Sequence, residues 1–121
     1  MLVDTDVLID YLRGKKNASK FIEKSIDEIC VSAITVGELY QGVIEGKERV
    51  ALDSLISAFV VLPVTEEIAK DGGLLRREYH RSHGAGLADC LIAATAKIHD
   101  LSLSTQNIKH YPMMSGIKKC Y

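Results

Sequence analysis

Apolar positions in this chain fall into two patterns, short continuous runs and repeats at helical spacing, and the two alternate along its length. The continuous runs predict buried strands at residues 1–3, 29–31, 59–62 and 101–103, with a fifth near Ile117. The helical repeats predict helices at about residues 7–12, 32–46, 48–58, 66–82 and 87–98. Strands that alternate with helices in this way predict βα units around a parallel sheet.

Length and composition are those of one ordinary globular domain. The chain has 121 residues, 47% of them hydrophobic and 26% charged, with no repeat, linker or low-complexity segment. We therefore predict a single domain over residues 1–121, large enough to fold without a structural metal or disulfide. The formal net charge of −1 is not typical of a protein that binds nucleic acid through a broad basic surface, so an RNA-cutting enzyme would need local positive charge or metal ions to bind its substrate.

Cysteine usage and the N-terminus predict a cytoplasmic protein with no membrane association. Cys30, Cys90 and Cys120 are odd in number, form no CxxC pair and are interpreted as reduced thiols, the first two buried. The chain begins without a basic segment or cleavage site, and no apolar run approaches the roughly 18 residues that cross a membrane.

Two carboxylates follow the first predicted strand directly, where open parallel sheets gather their functional groups. Asp4 ends the strand and Asp6 lies in the helix that follows. Helix capping explains one such residue. It does not explain two mutually repelling carboxylates, which favour a bound cation or compensating hydrogen bonds.

Asp89 lies in a helix that is apolar almost all round. At 100° per residue it shares a face with Ile92, Ala93 and Ala96. An ionised carboxylate there is costly unless it is paired or binds a metal. The alternative is a carboxylate stabilised by the helix N-terminus and by an arginine.

Three further polar residues are weaker candidates. Glu38 points away from the main apolar face of its helix, as a solvated glutamate would. Thr105 and Asn107 follow the fourth strand, where they could form a turn or orient a water or phosphate. Together with the aspartates they suit Mg²⁺ or Mn²⁺, and no zinc-type His or Cys spacing is present.

Basic residues are concentrated in one place, at Arg76, Arg77, Arg81 and His83. Such a run is usually a solvated helix face. Because it precedes the Asp89 segment, it is also a candidate contact for the phosphate backbone of RNA.

Four segments resemble, in order, the motif blocks of PIN-domain proteins, and most closely those of the VapC-type toxin ribonucleases. They are residues 2–9 (LVDTDVLI), 32–39 (SAITVGEL), 86–94 (GLADCLIAA) and 103–111 (LSTQNIKHY). The resemblance implies an α/β fold, a three-layer α/β/α sandwich around a parallel sheet of about five strands.

The resemblance also implies a Mg²⁺- or Mn²⁺-dependent ribonuclease with Asp4, Glu38 and Asp89 as metal ligands. Asn107 stands where many PIN domains carry a fourth acid, and Asp6 where Asn or Ser is commoner, so Asp6 and Thr105 are treated as auxiliary. We expect hydrolysis by a metal-activated water, with Glu38 binding the ion or accepting the proton. A homodimer and an antitoxin whose C-terminal segment covers the acidic cleft are also implied.

Two other functions remain open. Asp4 and Asp6 also resemble the DxD motif of haloacid-dehalogenase-type phosphatases, with Asp4 as nucleophile and Asp6 as general acid. The chain is short for that family and lacks its downstream GDxxxD motif. The second is a PIN-like module that binds RNA or protein without cutting, although unneutralised clustered carboxylates would repel RNA.

Overall fold

A parallel four-stranded sheet in the order β3-β2-β1-β4 forms the centre of the computed structural model, which describes all 121 residues. The strands are β1 (Leu2–Val3), β2 (Cys30–Ser32), β3 (Val60–Leu62) and β4 (Leu103–Ser104). Leu2 pairs with Cys30 on one side and with Leu103 on the other. The fifth strand is reduced to a single parallel bridge between Thr105 and Lys119.

Six α-helices connect and flank the strands: α1 (Thr5–Leu12), α2 (Lys16–Ser25), α3 (Ala33–Tyr40), α4 (Lys47–Ser57), α5 (Glu66–His83) and α6 (Leu87–Ile98). Two short 3₁₀ helices, at Ile26–Glu28 and Ile108–His110, complete the chain. The ends predicted for the fourth, fifth and sixth helices agree with the structure to within about one residue.

The sequence analysis missed α2 and predicted too long an α3. The second helix was not predicted, because it buries only the narrow stripe of Ala18, Ile22 and Ser25 and is otherwise polar. The third was predicted to continue to Gly46 but ends at Tyr40. Gly46 has a φ of 105°, which only glycine adopts readily, and Ile44 is 68% exposed, so no core contact extends this helix.

Side chains on opposite faces of the sheet enter two separate apolar clusters. Val3 and Val31 pack with residues of α1, α2, α3 and α4 on one face. Leu2 and Leu103 pack with α6 and Tyr111 on the other, and α5 packs outside α6. This alternation confirms the three-layer α/β/α sandwich.

Parallel pairing brings the C-terminal ends of all four strands to one edge of the sheet. Two helices begin there directly: the Asp4 side chain caps α1 by accepting from the Thr5 N–H, and Ser32 caps α3 by accepting from the Ile34 N–H. Asp4 therefore lies between the end of a central strand and the first residue of a helix.

All three cysteines are free, as predicted. Cys90 is buried, but Cys30 is only half-buried, so the prediction of its full burial was wrong. No helix combines the length and the apolar character that spanning a membrane requires.

Candidate functional site

Asp4 is the most deeply placed of the candidate carboxylates, with 4% of its surface exposed. Its Oδ1 accepts a hydrogen bond from the Thr5 N–H at 2.8 Å, and its Oδ2 accepts one from the Thr105 hydroxyl at 2.7 Å. Burial raises the pKa of Asp4, while hydrogen bonds from Thr105 and Tyr111 oppose that rise and the charge of Asp89 adds to it. The ionised form of Asp4 is therefore unfavourable in this buried position, and a bound cation would stabilise it.

Asp6 joins the start of α1 to the turn after β4. Its Oδ1 accepts from the Val7 N–H at 2.8 Å, and its Oδ2 accepts from the Gln106 N–H at 2.9 Å. Burial, followed by the charge of Asp4, raises the pKa of Asp6 to about 6. Asp6 is thus part of the same electrostatic cluster, but backbone hydrogen bonds fix both of its oxygens.

Asp89 enters the cluster from the first turn of α6, and its side chain is 26% exposed. The Tyr111 hydroxyl donates to its Oδ1 over 3.5 Å, and His110 Nδ1 lies 3.4 Å from its Oδ2. Burial raises the pKa of Asp89, the His110 charge opposes the rise, and the Glu38 charge adds to it. The neighbouring basic group is therefore a histidine, where the sequence suggested an arginine.

Glu38 is half-buried and faces the same cluster from α3. The Thr5 hydroxyl donates to its Oε1 at 2.8 Å and lies 3.0 Å from the Thr35 hydroxyl. This threonine contact orients a carboxylate that the helical periodicity alone would have assigned to solvent. Because the charge of Glu38 contributes to the raised pKa of Asp89, the two groups share one electrostatic environment.

Thr105 is buried in the centre of the cluster, whereas Asn107 lies at its rim. Besides donating to Asp4, the Thr105 hydroxyl lies 3.3 Å from Asp6 Oδ2 and accepts from the Asn107 N–H at 3.0 Å. Asn107 is exposed, and together with Asp6 it lines a cleft beside the cluster. The segment after β4 is therefore a turn, one of the two uses expected from the sequence, and it also orients the Asp4 carboxylate.

The acidic cluster does not by itself form a closed metal cage. No three His, Cys, Asp or Glu side chains lie close enough together to ligate one ion. This geometry suits Mg²⁺ better than a structural ion, because Mg²⁺ usually keeps several waters and binds through one or two carboxylates plus substrate phosphates. The donors present are hard oxygens, which also favour Mg²⁺ or Mn²⁺ over zinc.

Sequence reasoning missed Tyr111 and Thr5. Tyr111 is 1% exposed, and its hydroxyl is directed at Asp4 and Asp89. Burial, followed by the charges of Asp4 and Asp89, raises the pKa of Tyr111, so it remains a neutral donor. Only their positions along the chain could have indicated these two residues. Thr5 lies between two aspartates, and Tyr111 ends the polar segment that follows β4.

The three arginines predicted to contact RNA do not line the cleft beside the acids. Arg76, Arg77 and Arg81 are all exposed on α5 and form no ion pair. The cleft that contains Asp6 and Asn107 is lined by other cations.

Comparison with known proteins gives consistent matches over nearly the whole chain. The family model described as the PIN domain matches residues 1–111. Ribonuclease VapC10 of Mycobacterium tuberculosis is 40% identical over 121 residues, spanning 98% of this chain and 90% of that protein. Ribonuclease VapC19 of the same organism is 41% identical over 124 residues, spanning 99% and 98%. A chain in a toxin–antitoxin complex from Klebsiella pneumoniae superposes with a TM-score of 0.85 at 29% identity, covering 99% of this chain and 97% of that one.

Proposed function

The chain belongs to the PIN domain family, as its four motif blocks predicted, and from this premise we propose that it is a ribonuclease and the toxin of a toxin–antitoxin pair. Relatives about 40% identical over nearly their full length are named ribonucleases, and the Klebsiella pneumoniae complex supports the antitoxin partner. The observation that carries the proposal is the carboxylate cluster at the C-terminal edge of the sheet, where burial raises the pKa of Asp4 and Asp89.

Asp4, Glu38 and Asp89 are the residues we assign to a divalent ion, Mg²⁺ or Mn²⁺, which one or two of them would bind directly and the rest through its waters. Their oxygens are hard donors, and two of the three groups have raised pKa values that a cation would lower. When bound, such an ion supplies charge stabilisation to the phosphodiester and lowers the pKa of water.

Residues of the chain hold these carboxylates and prepare the proton transfer. Thr105 and Thr5 donate to Asp4 and Glu38, which fixes the carboxylates without neutralising them. Glu38 is half-buried and is the group we assign as proton acceptor from the attacking water. Because the Thr105 hydroxyl already donates to Asp4, Thr105 acts by orienting that carboxylate, while the exposed Asn107 is free to contact water or phosphate.

An antitoxin and a second copy of the chain are the partners we assign by family. The antitoxin would cover the acidic cluster and exclude RNA from it. A homodimer completes the proposed assembly.

The two rival functions are less well supported. A haloacid-dehalogenase-type phosphatase needs a downstream GDxxxD motif, which this chain lacks. A module that only binds RNA would be weakened by this cluster, because uncompensated carboxylates repel phosphates. The family match also favours the nuclease.

The proposal is tested by incubating purified protein with a mixed RNA pool in Mg²⁺, in Mn²⁺ and in chelator. We expect discrete, metal-dependent cleavage that Asp89→Asn reduces by about 100-fold or more. Asp27→Asn is the matched control, since Asp27 is exposed and distant in sequence from the cluster, and it should cut normally. Equal products from the wild type and Asp89→Asn, or cleavage that persists in chelator, would overturn the proposal.

A further inference from the structure

A second feature adjoins the acidic cluster, a cleft of about 810 Å³ between the end of α1, the start of α2 and the C-terminal segment. Asp6 and Asn107 form part of its wall, so it is continuous with the cluster. Its volume is in the range of about 300–1,000 Å³ that is common for ligand-binding pockets.

The cleft is positively charged although the protein is not. Its lining includes four cationic side chains and two carboxylates, an excess of two positive charges in a protein of net charge −1. Asp10 is one of these carboxylates; it forms an ion pair with Lys15 at 3.2 Å and accepts from the Tyr121 hydroxyl. Arg13, Lys16 and Lys119 have no carboxylate within ion-pair distance.

The start of α2 adds to this positive potential. No side chain caps the helix, its first turn contains no acidic residue, and Lys15 and Lys16 stand at its N-terminal end. Cations at the positive end of a helix dipole are unfavourable, and an anion bound there would offset that cost.

The cationic residues of the cleft differ in how far they lie from the acidic cluster. Lys119 forms the backbone bridge with Thr105, whose hydroxyl contacts Asp4 and Asp6. Arg13 follows Asp6 by seven residues of α1 and its C-cap, about 10 Å along the helix axis. A chain of phosphates leaving the acidic cluster would therefore meet Lys119 first and Arg13 and Lys16 later.

We propose that this cleft binds the phosphate backbone of the RNA strand next to the bond that is cut, with Arg13, Lys16 and Lys119 neutralising successive phosphates. The inference rests on the proposed ribonuclease function and names its substrate-binding surface. It also replaces Arg76, Arg77 and Arg81, which are exposed on α5 and do not line the cleft. Contacts of this kind position a strand without reading its sequence.

The test compares two triple variants that each remove three positive charges. Arg13→Gln/Lys16→Gln/Lys119→Gln changes the cleft, and Arg76→Gln/Arg77→Gln/Arg81→Gln changes α5. Binding of a fluorescently labelled RNA oligonucleotide is measured by anisotropy in chelator, so that no cleavage occurs. We expect about tenfold weaker binding for the cleft variant at low salt, and a slope of log K against log[salt] reduced by about 2. The α5 variant should bind within twofold of the wild type.

RNA binding that is unchanged in the cleft variant, or that weakens only in the α5 variant, would overturn the inference. If circular dichroism shows that the triple variant is unfolded, the Arg13→Gln/Lys16→Gln pair replaces it, since both side chains are exposed. Cleavage by the wild type in Mg²⁺ or Mn²⁺ separates the two claims. A protein that cuts RNA but binds it equally with or without these cations refutes only the cleft, whereas one that binds through them and never cuts refutes only the nuclease.

Discussion

At the edge of the sheet, burial disfavours the ionised form of individual carboxyl groups and raises their pKa. Asp6 has a pKa raised to about 6, chiefly by burial and then by the charge of Asp4, although two backbone N–H groups donate to it. Because the unfolded chain ionises at a lower pH, the cluster lowers the stability of the metal-free fold near neutral pH. Function and stability oppose one another at these residues.

The first prediction concerns the pH dependence of folding. The folded pKa of Asp6 is about 6 and its unfolded value about 4, so between these the folded protein binds more protons than the unfolded chain. The contribution of Asp6 to the free energy of unfolding therefore falls as pH rises from 4 to 6. Asp6→Asn should reduce this fall, measured by denaturant unfolding in chelator. Parallel curves for Asp6→Asn, the wild type and the Asp27→Asn control would contradict the assignment.

Tyr111 is the second residue whose role can be tested. Its buried hydroxyl is directed at Asp4 and Asp89, and Tyr111→Phe removes that donor while keeping the ring. We expect a loss of about 1 kcal/mol in the free energy of unfolding at pH 7, because ionised carboxylates lose a hydrogen bond. The loss should shrink as the pH falls through the raised pKa values of Asp4 and Asp89, because a protonated carboxyl group accepts a weaker hydrogen bond. A loss independent of pH would indicate a purely structural tyrosine.

At the scale of elements, the position of Asp89 depends on how closely α6 packs against α5. Gly72 makes that packing possible: a Cβ added there would lie 2.6 Å from Leu91 Cδ2 and 3.1 Å from Leu91 Cα. The adjacent Gly73 has no atom within 4 Å of the equivalent position. The chain thus offers two neighbouring helical glycines with opposite environments.

Gly72→Ala should therefore destabilise the protein, and Gly73→Ala should not. The added methyl of the first collides with α6, and overpacking of this kind costs about 1–3 kcal/mol. The second gains helix propensity in an exposed position, about 0.5–1 kcal/mol. Chemical denaturation of the two variants measures the difference, and equal stabilities would show that the helices can separate without cost.

The sequence predicted most elements either from an apolar pattern, as in α6, or from a capping residue, as at Thr65 before α5. Residues 87–98 were predicted to the residue, since α6 is buried by its neighbours and its pattern ends sharply at both ends. α2 was not predicted because its buried face consists of Ala18, Ile22 and Ser25, of which only Ile22 is a large apolar side chain. The fifth strand, predicted near Ile117, consists of one bridge at Lys119, because the polar segment there has no apolar run that would extend the pairing.

Across the whole molecule, opposite charges are sorted onto adjoining surfaces. The acids gather at the end of the sheet, and four cations line the neighbouring cleft, although the total charge is only −1. The sequence indicated the acids because Asp4 and Asp89 stand in apolar surroundings. It could not indicate Tyr111, Arg13 or Lys119, whose relation to the acids arises from contacts between segments that are distant along the chain.

The central claim is that Asp4, Glu38 and Asp89 form the site of a divalent ion, which some of them would bind through its waters, and the direct test is Mn²⁺ titration followed by electron paramagnetic resonance. We expect the wild type and Asp27→Asn to bind Mn²⁺ alike, and Asp4→Asn, Glu38→Gln and Asp89→Asn each to weaken the tightest site at least about tenfold. Equal Mn²⁺ binding by all five proteins would contradict the account.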